Sequence, residues 1–207
     1  MRFRLNLSWA VVAMVGVALL AGRTRADDKA DVGAGAKAWA KALMDGDEKA
    51  LKSHSIGNDE EQARWEGMSK MIGAFKKLGD AASAKYGEQG AMLSRAFKQP
   101  DYEQMQKDST IAVTGEDATI TDKQSKVMKM KKDGGEWKVV LASLEQSGPN
   151  KMDPKQVTAM TSAASSTADE IKDGKYPTYI AAMQALAQKM QAAGVGGGRR
   201  PGAAPGR

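Results

Sequence analysis

The side chains with the widest chemical range are few in this chain. It contains one histidine, His54, and no cysteine. Thiolate metal sites, disulfides, iron-sulfur clusters and cysteine nucleophiles are therefore excluded. A histidine serves as general base only with a partner that orients it and a substrate proton within reach. The stretch around His54 offers no such partner signature, and it reads as a residue at a helix end. Two carboxylate clusters have short spacing. Asp59-Glu60-Glu61 stands where a helix begins, and negative charge there is favoured by the helix dipole. Asp101-Tyr102-Glu103 follows Pro100 and reads as a loop or a helix start. No HExxH, EF-hand loop, phosphate-binding glycine loop or GxSxG occurs. No catalytic, cofactor-binding or metal-ligating residue is assigned on these grounds.

Charged and aromatic residues give the remaining candidates. Lys126, Lys129, Lys131, Lys132 and Lys138 crowd the segment 125–138, and Trp137 lies among them. Lys129, Lys131 and Trp137 form a candidate binding face for an anionic ligand. The competing reading makes the lysines a solvated sheet surface that blocks edge pairing. No aromatic residues alternate with them as a stacking platform for single strands would require, so nucleic acid is not an expected partner. Arg199, Arg200 and Arg207 in the Gly/Pro-rich tail 194–207 are a second candidate, for phosphate or an acidic envelope polymer. The tail has the composition of a flexible segment.

The ends also account for much of the basic balance. Of 31 basic residues against 25 acidic ones, Arg2, Arg4, Arg23 and Arg25 lie in the first 26 residues and three arginines in the tail. The body between is nearly neutral. Residues 1–26 have two arginines before the apolar run 9–22, then Thr24-Arg25-Ala26 with small residues at both cleavage positions. That pattern predicts an export signal cut near Ala26, giving a periplasmic or secreted protein. An uncleaved membrane anchor is the alternative, although the run falls short of the roughly 20 residues that span a bilayer.

These residues must be positioned by helices and hairpins that the periodicity marks out. Val32, Ala36, Trp39, Ala40 and Leu43 recur at helical spacing. Asp45-Gly46-Asp47 breaks that helix, and Asp47 caps a short second one carrying Ala50 and Leu51. Trp65, Met68, Ile72, Phe75 and Leu78 make one face of a long helix that begins at Asn58 or Asp59. A further helical piece covers 88–98, stopping before Pro100. β-Branched runs at 109–114 and 117–121 predict one hairpin, and 125–132 and 136–145 around Asp133-Gly134-Gly135 predict another. Alternation in the last strand sets Trp137, Val139 and Leu141 against Val140, Ala142 and Leu144, a central strand covered on both sides. Beyond it, Asp153 and Pro154 open a helix with Val157, Met160, Ala164, Ala168 and Ile171 in one stripe. Tyr179, Met183, Leu186 and Met190 stripe a last helix. The two stripes are expected to cover the chain's own sheet, with a homodimer arm as the alternative.

The fold class is thus α+β: N-terminal helices packed on a curved antiparallel sheet of about four strands, with two added C-terminal helices. The expected units are a signal (1–26), an α+β domain (27–145), a helical extension (146–193) and the tail (194–207). The order of elements, with "LMDGDEKAL" (43–51) and "GGEWKVV" (134–140), resembles the nuclear transport factor 2-like superfamily of cone-shaped domains over residues 32–145. More narrowly, it is similar to small exported bacterial members of unassigned function. The resemblance implies a cone whose interior holds a ligand or, in the isomerases and dehydratases, acid/base residues. Neither phrase is a catalytic motif, and fold alone confers no chemistry. The expected function is a non-catalytic exported module binding a small molecule or an envelope protein. An isomerase, dehydratase or hydrolase with a carboxylate-lined pocket, and a polymer binder acting through the tail, are the alternatives.

Overall fold

The computed structural model describes residues 9–96, 101–144 and 152–195. Helix α1 (Trp9–Asp45) is followed by α2 (Glu48–Ser53), β1 (Ser55–Ile56), α3 (Asp59–Tyr86), α4 (Glu88–Ala96) and α5 (Tyr102–Lys107). Then come strands β2 (Thr110–Thr114), β3 (Asp117–Thr121), β4 (Val127–Asp133) and β5 (Glu136–Val140), a 3₁₀ turn at Leu141–Leu144, and helices α6 (Pro154–Lys172) and α7 (Tyr179–Ala192). α1 runs unbroken through the apolar stretch 9–22 and past Ala26. Among the described residues no helix is long and apolar enough to cross a membrane.

Helix ends follow the capping residues. Asp47 accepts the Ala50 N–H at 2.9 Å and starts α2. Asn58 and Glu61 form a reciprocal capping box at α3, each side chain bonding the other's backbone at 2.9 Å. Asp153 and Thr178 cap α6 and α7. α1 stops at Asp45 because Gly46 takes φ +74°, a left-handed conformation that glycine adopts without steric cost.

Among the described residues the sheet has five strands in the order β1-β5-β4-β3-β2, one more than expected, and it is mixed rather than antiparallel. The additional strand is β1, whose Ser55 and Ile56 pair in parallel with Val139 and Val140. Two residues are too few to carry a periodic pattern, so no sequence signal marks them. β5 is interior as expected, but it ends at Val140. The Ser143 hydroxyl donates to the Val140 carbonyl at 2.6 Å and accepts the Lys129 N–H at 3.0 Å, which supplies β4 with the bond that a longer β5 would have given. In the resulting 3₁₀ turn Leu141 and Leu144, three residues apart, are both buried instead of lying on opposite faces.

α1 covers the inner face of the sheet. Val32, Trp39, Ala42, Leu51, Trp65, Met68, Ala118, Met130, Trp137 and Val139 build this core, and the Trp39 and Trp65 rings meet edge to face at 5.3 Å. α1 also meets α3: a Cβ on Gly46 would stand 2.9 Å from the Gly73 Cα, and buried Ser69 donates to the Ala42 carbonyl at 3.3 Å.

The C-terminal helices do not lie over the sheet. α6 packs along α3 and α7 packs on α6. Ala74, Leu78, Ala81 and Ala82 of α3 form a second core with Ala163, Ala164, Ala168 and Ile171 of α6 and Ala182 and Leu186 of α7. Alanines on both facing stripes let α3 and α6 approach closely, whereas the outer sheet face presents threonines and lysines that offer such stripes little apolar area. Glu170 ties the α6–α7 connection: Lys175, Lys189 and the Tyr176 hydroxyl all donate to it and hold its carboxyl down at about 2.

One position tests the α1–sheet contact. A Cβ on Gly35 would fall 2.4 Å from the Trp137 carbonyl oxygen, so Gly35→Ala is expected to destabilise by about 1–3 kcal/mol through overpacking. Gly67→Ala, where the added methyl meets only a Val157 methyl at 3.5 Å, is expected to be neutral or to stabilise by up to about 1 kcal/mol. Urea melts of the two variants measure the contrast.

Candidate functional site

The inner face of the sheet is filled by α1 over β5 and incompletely filled over β2 and β3. Ile111, Ile120 and Met128 stand in one row across β2, β3 and β4. Above them α1 presents Gly33, Ala36, Lys37 and Ala40, spaced at three and four residues and therefore on one helix face. Glycine and alanine are too short to reach the row below. The gap is a mainly apolar pocket of about 100 Å³, closed at its end by Tyr102, Met105 and Ser109 from α5 and the loop after it. Met105 stands half exposed at the mouth.

Tyr102 gives the pocket its chemistry. Its hydroxyl is buried and no described group bonds it. Burial pushes the phenol above its ordinary range, and the Asp45 carboxylate adds to the effect while Lys41 opposes it. At neutral pH the group is thus a proton donor awaiting an acceptor. Asp45, the last residue of α1, bonds Lys41 one turn earlier and Lys76 of α3 at 2.8 Å. Those two ammoniums hold its carboxyl at about 2 against the unfavourable negative end of the helix dipole. Tyr102, a neutral donor, thus lines the pocket, while the fixed Asp45 carboxylate acts on it electrostatically from outside the lining.

The candidates read from the sequence are dispersed. Lys129 and Lys131 lie exposed on the outer face of β4, where Lys131 pairs across to Lys138. Trp137 is on the opposite face, buried in the α1 core and directly across from Lys132. The three residues do not form one binding face, because the β4–β5 register sets Trp137 one step out of phase with Lys131. Lys132, the fourth lysine of the strip, turns inward to Asp28 at 3.1 Å and stands 5.6 Å over the Trp137 ring. Arg199, Arg200 and Arg207 lie outside the described residues. His54 caps the end of α2 as expected; its carbonyl accepts the Val139 N–H at 2.9 Å. Its side chain borders a shallow depression with Asp31 and Glu136. Among the described residues no group of three His, Asp or Glu side chains is placed to hold a metal.

Asp101-Tyr102-Glu103 reads in the sequence as a loop or a helix start, and a helix does start there. The structure separates them: Asp101 accepts the Gln104 N–H at 3.0 Å and opens α5, Tyr102 turns into the pocket, and Glu103 is exposed. The available signal was the Tyr102/Met105 spacing of three, an apolar pair on a short helix. No family model, curated protein or solved structure matches this chain.

The Asp45 ion pairs make a pH prediction. A carboxyl lowered from 3.8 to about 2 on folding contributes stability that is fully present above pH 3.8 and is lost as pH falls through about 2. Asp45→Asn is expected to lose on the order of 1–2 kcal/mol at pH 7, discounted for the partial exposure of the pair. The gap between variant and parent should narrow from pH 4 to pH 2. Urea unfolding at several pH values in that range measures it, and a gap that stays constant would assign the loss to something other than the carboxylate charge.

Proposed function

We propose that this protein is a non-catalytic binding module that takes a small, largely apolar molecule with one hydrogen-bond acceptor under its sheet. The observations that carry the reading are the mainly apolar pocket between α1 and the sheet and, on its lining residue Tyr102, a buried hydroxyl that no described group bonds. A buried polar group without a partner costs roughly 1–3 kcal/mol, and a ligand carbonyl or ether oxygen would recover that cost on binding. The volume of about 100 Å³ limits the ligand to a few non-hydrogen atoms or to the end of a longer chain emerging past Met105. A cavity of about 150 Å³ holds benzene.

Binding is favoured over proton transfer by the state of the two titratable groups. The Tyr102 proton is held more tightly than that of a free phenol, and Asp45 is held as a carboxylate by Lys41 and Lys76. A general base or acid works best with a pKa near the operating pH, and both groups are moved away from it. The cone-like reading belongs to this proposal. Its support is the parallel pairing of β1, which follows the second helix, with the last strand, and the placement of the pocket between α1 and the sheet. Export is also part of the reading, resting on Arg2, Arg4, the apolar run 9–22 and Ala26.

Titrating acetone, cyclobutanone and cyclopentanone against the ¹⁵N-labelled protein tests the pocket. Shifts are expected at Ala36, Ala40, Ile111 and Ile120. Tyr102→Phe should leave the free protein as stable as the parent, or up to about 1 kcal/mol more stable, while weakening ketone binding roughly fivefold. Ala40→Leu should fill the space and abolish binding. Ketone affinity unchanged in Tyr102→Phe, together with a loss of stability, would sink the reading.

A further inference from the structure

We propose that the outer edge of β2 is a self-association edge, which pairs antiparallel with β2 of a second copy of this chain about a two-fold axis at Ala112. Among the described residues the strand order leaves β2 with a neighbour, β3, on one side only. Edge strands of soluble proteins are ordinarily guarded by lysine, proline, a bulge or very short length. β2 reads Thr-Ile-Ala-Val-Thr, five residues with no charge, proline or glycine. The strand lysines that would guard an edge are on β4 and β5, which are both interior.

The direction of the β2 peptide groups follows from one hydrogen bond. The Lys132 N–H donates to the Glu116 carbonyl at 2.8 Å, in the register that sets Asp117 opposite Lys131. Peptide groups alternate along a strand, so Ala118 and Ile120 also turn theirs toward β4, and Asp117, Thr119 and Thr121 turn theirs toward β2. Their partners are Thr114, Ala112 and Thr110. The N–H and C=O groups of Ile111 and Val113 therefore point away from the sheet, and no described residue bonds them.

A second copy satisfies all four groups at once. With Ala112 opposite its own symmetry mate, Ile111 of one copy faces Val113 of the other, and each such pair exchanges two hydrogen bonds. Thr110 faces Thr114. Every cross-strand pair then joins similar, uncharged side chains, the arrangement that stabilises antiparallel neighbours. Ile111 and Val113 remain on the inner face in both copies, where they already pack against the α1 core. A register shifted by one residue would pair the outward groups of Ile111 and Val113 with inward ones. The TIAVT sequence reads the same by residue class in both directions, which is the requirement for a strand to pair with itself. The contact is short, so association rises with concentration and the dimer is not permanent.

The test uses the full chain in sedimentation velocity over a broad concentration range, with Ala112→Lys and Ala112→Glu as variants. Ala112 is exposed on the outer face, so both should keep the parent's circular dichroism and melting temperature. Each variant alone is expected to associate at least tenfold more weakly than the parent, because like charges meet at the axis. An equimolar mixture of the two should recover association. Because the chain has no cysteine, Ala112→Cys adds a single thiol, and mild oxidation should give a covalent dimer. Thr119→Cys, on the same sheet face one strand inward, should not. A parent that sediments as a monomer throughout, or a mixture no more associated than its components, would overturn the proposal. So would an Ala112→Cys yield no higher than that of Thr119→Cys, as when another segment of the same chain covers the edge.

Discussion

The close approach of α1 to β5 at Gly35 is the contact on which the rest of the molecule is arranged. With no Cβ at that position the helix backbone comes down onto the Trp137 carbonyl, and the Trp137 ring enters the core beside Met130 and Val139. Eleven residues on, Gly46 brings the end of the same helix against Gly73 of α3, where Ser69 bonds the carbonyl of Ala42. α1 is thereby fixed at two points to two different layers. A helix so held cannot tilt to fill the space over β2 and β3, and the short side chains of Gly33, Ala36 and Ala40 leave the pocket there.

α3 is the second organising element because it contributes to both cores. Trp65 and Met68 in its first half face α1, and Ala74, Leu78, Ala81 and Ala82 in its second half face α6 and α7. The division explains why the C-terminal helices leave the sheet alone. Their alanine-rich stripes match the alanine-rich half of α3, and helix-on-helix burial of that kind removes apolar area from water that the threonine and lysine surface of the sheet does not offer. The outer sheet face stays wet as a result, and among the described residues β2 keeps one edge without a strand partner.

Electrostatics within the site follow from the same geometry. Asp45 sits where α1 ends, a position that disfavours a carboxylate until Lys41 and Lys76 are brought to it by the α1–α3 crossing. Tyr102 arrives from α5 into the space that remains, and its hydroxyl finds no partner among the described residues. Of these two neighbouring groups, the carboxylate has its partners and the neutral phenol, on the pocket's lining residue, is bonded by no described group. The phenol's unmet demand is for a hydrogen-bond acceptor.

The sequence by itself determined the local features of this protein. Asp47, Asn58 and Asp153 start helices because their side chains bond orphan N–H groups within three residues, and Asp45-Gly46-Asp47 ends α1 because glycine alone takes the needed φ at no cost. Both hairpins were legible for the same reason: turn chemistry and alternation act over a few residues. The α+β class, the absence of thiol chemistry and the dispersal of acid/base motifs were equally available. Only the tertiary structure decided the rest. β1 exists because β5 has a free side, the 3₁₀ turn because Leu141 and Leu144 are both drawn into one core, and α6 seeks α3 because its stripe fits there. The lysine strip and Trp137 were parted by a register set across two strands, and Tyr102 became a site residue through α1, β3 and β4, which lie farther along the chain than any local pattern reaches. Capping and turns are paid for by neighbours along the chain, whereas burial and pairing depend on partners that only folding brings near.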